Sequence, residues 1–422
     1  MVTPMKRRAL FAALVLSFAG VACQVIAGIS RVEQVDPPPD SAPEAAPEAA
    51  PPPDPCHHVV PPPIPEMDDD PTTSIDEFYL ALRSVTLVAP AGGPPFGFDL
   101  DGVCSCDRRP NTAYDGGQSC RQAGEKICDA DGGVDNQVST LATDFGLLFD
   151  INKDANVNAR IQSGTQTSFV VISKYNGRAN DREVAFGLFT SEGIPDTQAE
   201  PGCPDAGRGN GHLAPGWCGN DKWSVSTSTV NQFGTKFTPK SVGIGYVSNY
   251  RFVVRLSGTA GVPFAGYRLA LDAPISSGRL VPLDANLQVL DTSAGPPPKN
   301  LIAFWRLDDG VLAGRIAVSE LLAAIGTVGV PGGDGGAHVC ANPMLFDSIK
   351  GEVCKRADLN VTPNLDFAAG AACDALSTGI ALTGFPAKVE GFVTAPVDQN
   401  DCYPTEDGGG PIGFPGVTYR CP

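Results

Sequence analysis

The apolar positions of this chain alternate more often than they recur at helical spacing. Phe78, Leu80 and Leu82 fall on one face of an extended segment, with Tyr79, Ala81 and Arg83 on the other. The apolar phase then slips to Val85 and Leu87, which predicts a β-bulge. In 266–273, Tyr267, Leu269 and Leu271 alternate with Arg268, Ala270 and Asp272. Further strands are predicted over 168–174, 183–190, 241–247, 250–256, 279–283, 286–290, 300–307 and 386–395, set apart by Gly, Pro and Asn. Two segments keep a helical period instead. One is 136–149, with Val138, Leu141, Ala142, Phe145 and Leu148. The other is 314–326, with Val318, Leu321, Leu322 and Ile325, and Gly326 as a C-cap. The pattern predicts a mainly β fold. The expected form is an antiparallel β-sandwich, jelly-roll-like, over 73–314, with two short helices packed on it. Beyond about residue 330 the chain turns Gly-rich and holds Cys340, Cys354, Cys373, Cys402 and Cys421. Residues 315–422 therefore read as a disulfide-rich C-terminal region, packed on the same domain or forming a small second unit.

The N-terminal residues follow neither pattern. Lys6, Arg7 and Arg8 precede an apolar run over 9–22. At about 1.5 Å per residue that run reaches about 21 Å, short of a bilayer core of roughly 30 Å. Residues 1–22 read as a signal peptide. Residues 23–72 read as a tether, because 36–72 contains 14 prolines and no pattern that could bury a core. Such a segment is extended and semi-rigid. Cys56 and His57-His58 interrupt it. Cys56 reads as the clip that fastens the tether to the folded body; metal binding by the histidine pair is the alternative.

Cysteine usage fixes the compartment. Of 13 cysteines, Cys23 ends the apolar run. The others are Cys56, Cys104, Cys106, Cys120, Cys128, Cys203, Cys218, Cys340, Cys354, Cys373, Cys402 and Cys421, an even set that can pair without remainder. Disulfides persist in oxidising compartments. Cys203–Cys218 and Cys340–Cys354 are the local pairs expected first, and the connectivity is otherwise open. Zinc at Cys104, Cys106, Cys120 and Cys128 is disfavoured, since no C-x-x-C spacing occurs. The net charge is −17, and the leader holds three cations and no acid, so the remainder is more acidic still. An acidic surface repels phosphate backbones, which argues against nucleic-acid binding.

Gly20-Val21-Ala22-Cys23 resembles the lipobox of bacterial lipoproteins, although its first position is Gly where Leu is usual. The resemblance implies cleavage before Cys23, acylation of its thiol and anchoring in the lipid bilayer. Gln24 follows where an Asp would resemble an inner-membrane retention signal, so the outer membrane or cell surface is the expected address. A wider set of segments is similar to cysteine-rich lipoproteins of the myxobacterial type. They are Cys23 to Gly28, Phe98 to Cys106, Gly133 to Asn136, Tyr175 to Asp181 and the run from Cys373 to Gly379. That family carries no known activity, so no catalytic role is transferred.

Candidate chemistry is confined to acidic loops. Asp99, Asp101, Asp129, Asp131 and Asp135 alternate with Gly and Cys, and resemble calcium loops of the thrombospondin type 3 kind. Calcium takes six to eight oxygen ligands in general. The alternative is that these residues form turns between disulfides. Asp150, Asn152 and Asp154 have the opening spacing of an EF-hand or dockerin loop, but Ala155 and Ile161 stand where Gly and a bidentate acid belong. Asp308-Asp309 reads as turn chemistry. No G-x-S-x-G, H-E-x-x-H, phosphate-binding loop or dinucleotide fingerprint occurs. The expected function is non-catalytic binding of an extracellular ligand, a glycan or another envelope protein, with calcium ordering loops. The rivals are a carbohydrate-active hydrolase using dispersed carboxylates, and a purely structural envelope component.

Overall fold

Strand β12 (Ala375–Val393) lies between β1 (Phe78–Thr86) and β11 (Phe304–Ala317) and turns a sheet into a cylinder. The computed structural model describes residues 56–90, 93–106, 117–124, 126–149, 153–195, 203, 213–264, 267–328, 338–394 and 419–421. The remaining ring strands are β2 (Thr167–Ser173), β3 (Asp181–Ser191), β7 (Ser241–Ser248), β8 (Arg251–Ser257) and β10 (Tyr267–Leu283). Their order is β1-β2-β3-β7-β8-β10-β11-β12, and β12 returns to β1. Every pairing in the ring is antiparallel. The expected sandwich is thus corrected to a closed eight-stranded barrel. Alternation reports that one face of a strand is buried. It does not report whether that face meets a second sheet or curls onto itself. The ring closes through contacts such as Ser84 to Thr383, 299 residues apart.

Side chains fill the cylinder. Leu80, Ile172, Phe186, Phe252, Leu280, Leu307 and Ile380 belong to one continuous cluster, all at most 3% exposed. Eight strands enclose a space just wide enough for such a filling. Phe186 and Phe252 stand 5.4 Å apart at the centre. Gly278 on β10 makes room beside Phe252: a Cβ there would lie 2.3 Å from Leu307 Cδ1 and 3.1 Å from Phe252 Cε1. One end of the barrel is closed by aromatics. Trp305 sits 6.0 Å from Phe78, 5.2 Å from Tyr175 and 6.5 Å from Tyr250. The other end carries helix α3 (Val318–Gly326), whose Val318, Leu321 and Leu322 join the interior cluster. Helix α1 (Gln137–Phe149) matches the predicted segment closely, and α3 starts later than predicted because β11 runs on to Ala317.

The predicted strands 266–273 and 279–283 are one strand, β10, bent by register shifts against β11. Residues 286–290 form only an isolated bridge, Leu283 to Val289. Strand β12 begins earlier than predicted, since its Gly, Thr and Ser positions hid the pattern. β12 belongs to the ring, so the expected boundary near 315 falls inside the barrel; residues from Asp54 onward cluster as one compact unit. Two helices had no prediction: α2 (Lys153–Gln162) and α4 (Pro343–Lys355). α2 lies against β1, where the Asn158 amide accepts from Val85 N (2.8 Å) and donates to Val85 O (2.8 Å), imitating a neighbouring strand. Strand β4 (Lys222–Ser226) pairs parallel with β12, outside the ring. The hairpin of β5 (Val230–Phe233) and β6 (Lys236–Pro239) is also off the ring, and β9 (Thr259–Phe264) pairs only with β10. β4 and β5 cover the outside of β2 and β3 through Trp223, Phe169 and Phe189. That second core explains why Thr167–Ser173 is buried on both faces and reads as an unbroken apolar run.

Five disulfides are seen among the described residues: Cys56–Cys104, Cys106–Cys128, Cys120–Cys373, Cys203–Cys218 and Cys354–Cys421. Cys340 is disulfide-bonded as well. The expected Cys203–Cys218 pair is present. The expected Cys340–Cys354 pair is corrected. Helix α4 separates those two cysteines by about 20 Å at its standard rise, far beyond the roughly 7 Å limit between bridged Cα atoms. Cys23, the leader and most of the tether lie outside the described residues, as does Cys402. No described helix is long and apolar enough to cross a membrane.

Candidate functional site

A polar cap lies on the outer face of β11 and β12. It combines residues 93–106, 117–124, 126–136 and 356–374. The Asn136 side-chain amide joins it to the barrel by donating to Phe96 O (2.8 Å) and Gly379 O (3.1 Å). Cys120–Cys373 ties two of its segments together covalently just before β12. Position 379 must be glycine, because a Cβ there would stand 2.1 Å from the Phe96 carbonyl oxygen.

Within the cap, the turn over 99–105 gathers four carboxylates by its own backbone. Leu100 N donates to Asp135 Oδ2 (2.7 Å) and Gly102 N to Asp99 Oδ1 (2.6 Å). Val103 N donates to Asp101 Oδ1 (2.9 Å) and Ser105 N to Asp129 Oδ2 (2.7 Å). One oxygen of each acid is thereby fixed, and the acids converge. Asp99, Asp101 and Asp135 each bring an oxygen to within 4.8 Å of the others. The Ser119 hydroxyl, buried beside Asp101, adds a further oxygen. His58 contacts Asp99 Oδ2 through Nδ1. Its strand of chain is held by Cys56–Cys104 and by Val59 N donating to Gly132 O (2.8 Å).

A second layer supports the first from below. Arg315, 2% exposed on β11, makes a bidentate ion pair with Asp366 (3.0 and 2.6 Å). It also donates to Asn360 O (2.6 Å) and to Leu100 O (3.1 Å), the latter inside the acidic turn. Asp358 accepts from Ser377 N (2.9 Å) and Ser377 Oγ (2.5 Å) on β12.

Six carboxylates thus face one arginine and one histidine. Burial raises the pKa of Asp101 to about 6, of Asp129 to about 7 and of Asp358 to about 7. Asp135 is pushed well above the usual carboxylate range by burial, and further by Asp101 and Asp129. Without a cation, the cluster holds protons near neutral pH.

The donors fit a hard cation. Ligands at 2.3–2.6 Å from one ion lie at most about 4.6–5.2 Å apart, which the 4.8 Å spread satisfies. Three carboxylates, with Asp129 and Ser119 beside them, are oxygen donors of the kind calcium takes. Cys56, His58 and Cys104 also converge, but both sulfurs are spent in a disulfide, so that set lacks the thiolates zinc requires. A glycosidase pair fits less well. Such carboxyls stand at least about 5 Å apart with free oxygens flanking a bond, whereas these are tied to a turn and crowd one another. Asp129 lines two cavities, of about 210 Å³ and about 790 Å³, which give the cluster access to solvent.

The structure therefore brings together Asp99, Asp101 and Asp135, with Asp129 adjoining. Asp131 is exposed in the turn over 131–133, on the wall of the smaller cavity rather than in the cluster. Asp150 and Asn152 lie outside the described residues, and Asp154 falls in helix α2, so no loop runs from residue 153 as the EF-hand spacing required. Ser119, Arg315, Asp358 and Asp366 were not legible as site residues, and His58 was raised only as half of a histidine pair, without its link to the acids. The clearest signal was Arg315, a lone charge in the apolar run 311–318. Asp308-Asp309 is no turn; it forms the bulge between Leu307 and Gly310 on β11.

The chain matches no protein-family model, no curated protein and no solved structure.

Proposed function

We propose that this chain is a lipid-anchored protein of the bacterial outer membrane or cell surface, held by acylated Cys23. It binds an extracellular glycan or envelope protein without catalysis, and calcium orders its acidic cap. The observation that carries the calcium reading is the convergence of Asp99, Asp101 and Asp135 on a turn whose N–H groups fix one oxygen of each. The filled barrel interior favours a ligand on the outer surface.

The test is a melting curve of residues 54–422, the compact unit that keeps Cys56 and His58, in calcium and in EDTA. A rise of several degrees that saturates with calcium is expected. Identical melts overturn the calcium reading. The anchor is tested separately: radiolabelled palmitate is expected in the full chain and absent from Cys23→Ser.

A second reading, a carbohydrate hydrolase, draws on one observation. Asp129 lines both cavities and its pKa of about 7 suits a general acid. Oligosaccharide turnover that disappears in Asp129→Asn would support it; the non-catalytic reading expects none.

A further inference from the structure

Further along β11 and β12 from the acidic cap, the barrel surface is disturbed at two adjacent places. The β1–β12 register shifts between Leu82 and Ser84, and the β11–β12 register shifts between Leu307 and Gly310. Bulges re-aim side chains, and here they open a cavity of about 360 Å³. Arg83, Ser84, Gln162, Arg306, Thr383 and Phe385 line it.

The two arginines differ. Arg306 is consumed by Asp308, which accepts from its Nε (2.8 Å) and Nη2 (2.7 Å). Arg83 has no acid at ion-pair distance among the described residues. It is held by aromatic faces instead, with Cζ 5.2 Å from the Phe385 centroid and 5.6 Å from the Trp217 centroid. Those two rings meet edge to face at 6.3 Å. Stacking fixes the plane of a guanidinium and leaves its N–H edge for an anion.

Trp217 is placed there at a cost. Its φ is 53°, a left-handed conformation that bulky side chains rarely adopt. Asp221, 2% exposed, holds the turn by accepting from Gly216 N (2.8 Å) and Trp217 N (2.7 Å). The neighbouring Cys203–Cys218 disulfide fixes the next residue. The indole Nε1 donates to Gln162 Oε1 (3.1 Å), and Gln162 Nε2 donates to the Arg83 carbonyl (2.9 Å). Strain of this kind persists where surrounding structure over-determines it, and it clusters at ligand sites. Trp217 also packs against both hydrophobic clusters, whereas Arg83 belongs to neither.

The geometry points to a binding site for a saccharide that carries a carboxylate. Arg83 would receive the carboxylate in a bidentate pair. The Ser84–Thr383 hydroxyl pair (2.5 Å) and the Gln162 amide lie beside it for sugar hydroxyls, with Phe385 as apolar flank. The overall charge of −17 disfavours polyanions, so one or two carboxylates suit this site better than a long acidic chain. This inference rests on the glycan-binding reading above and names its ligand class.

The experiment titrates the detergent-solubilised full chain with digalacturonate, its neutral methyl ester and acetate. Calorimetry gives affinity, and tryptophan fluorescence reports the site, since Trp223 and Trp305 are buried at 0% and 4% exposure. Digalacturonate is expected to bind, with the ester and acetate weaker by about tenfold or more. Arg83→Gln is expected to weaken digalacturonate by about 10- to 100-fold, the loss typical of a charge-assisted hydrogen bond, at an unchanged melting temperature. Arg83→Lys is expected to recover only part, because it lacks the fork. Equal binding of acid and ester, or indifference to Arg83→Gln, overturns the proposal and leaves a glycan ligand standing. Acetate binding as tightly as the disaccharide overturns the saccharide assignment. Binding of neither sugar overturns both this site and the glycan reading, and leaves an envelope-protein ligand.

Discussion

Inside the barrel, Leu80, Phe252 and Leu280 are at most 1% exposed and carry no charge. On the outer face of the same sheet, Asp135, Asp358 and Arg315 are at most 6% exposed, and all three are ionisable. The interior is stable because burial of apolar surface and sheet hydrogen bonds act together, at any pH. The cap buries charge, and burial of charge is costly unless every group is paired. It is retained through a disulfide that ties its segments together beside β12, an arginine beneath it, a backbone turn around it and, on the reading proposed here, a cation within it. The lesson is that equal burial conceals opposite dependences on solution conditions.

The largest effect should come from opening the bridge that holds the cap together beside β12. Cys120→Ala with Cys373→Ala opens a closed segment of 253 residues, worth up to about 5 kcal/mol in the chain-entropy model. Guanidinium melts are expected to show the cap loosening before the barrel. A single coincident transition would mean that the two are one cooperative unit.

Next come two substitutions of similar size but different response. Phe252→Ala should cost about 3–5 kcal/mol through a core cavity, equally with and without calcium. Arg315→Met should cost about 3–5 kcal/mol by stranding Asp366 and adding to the uncompensated negative charge of the cap. Its cost should shrink at low pH, where the acids take up protons. An Arg315→Met penalty that is constant from pH 4 to pH 8 would show that the charges of the cap are not coupled.

Asp135→Asn should change sign with conditions. In EDTA at neutral pH it relieves repulsion and should be neutral or stabilising. In calcium it should abolish a gain of about 2.7 kcal/mol at a hundredfold excess over Kd. Paired melts of wild type and variant decide this.

The pH dependence follows from the raised pKa values. An unfolded carboxyl releases its proton near 4, whereas folded Asp101, Asp129 and Asp358 release theirs only near 6–7. Below pH 4 both states are protonated and nothing is lost. As pH rises through that window the unfolded state gains charge first, so stability in EDTA falls, and the full cost is reached above about pH 7. Calcium should flatten the curve. At the bottom of the scale, Ile244→Thr on β7, 66% exposed on the barrel exterior, should change stability by no more than about 0.5 kcal/mol in either buffer.

The sequence by itself determined the mainly β character, because period-two alternation is a local property of each strand. It determined helix α1 and the interest of Asp99, Asp101, Asp129 and Asp135, and it suggested the Cys203–Cys218 pair by the same local spacing that failed for Cys340–Cys354. Closely spaced acids on turns are visible without knowing where the turns go. Tertiary structure alone decided that β1 meets β12, and so that the sheet is a barrel and not a sandwich. It also decided that Cys354 reaches Cys421 across a helix that the Gly-rich surroundings concealed. It brought His58, Arg315, Asp358 and Asp366 to the acids, and set Arg83 against Trp217 and Phe385. Those choices depend on contacts between distant segments. The pattern of a strand records which of its faces is buried, but not which partner buries it.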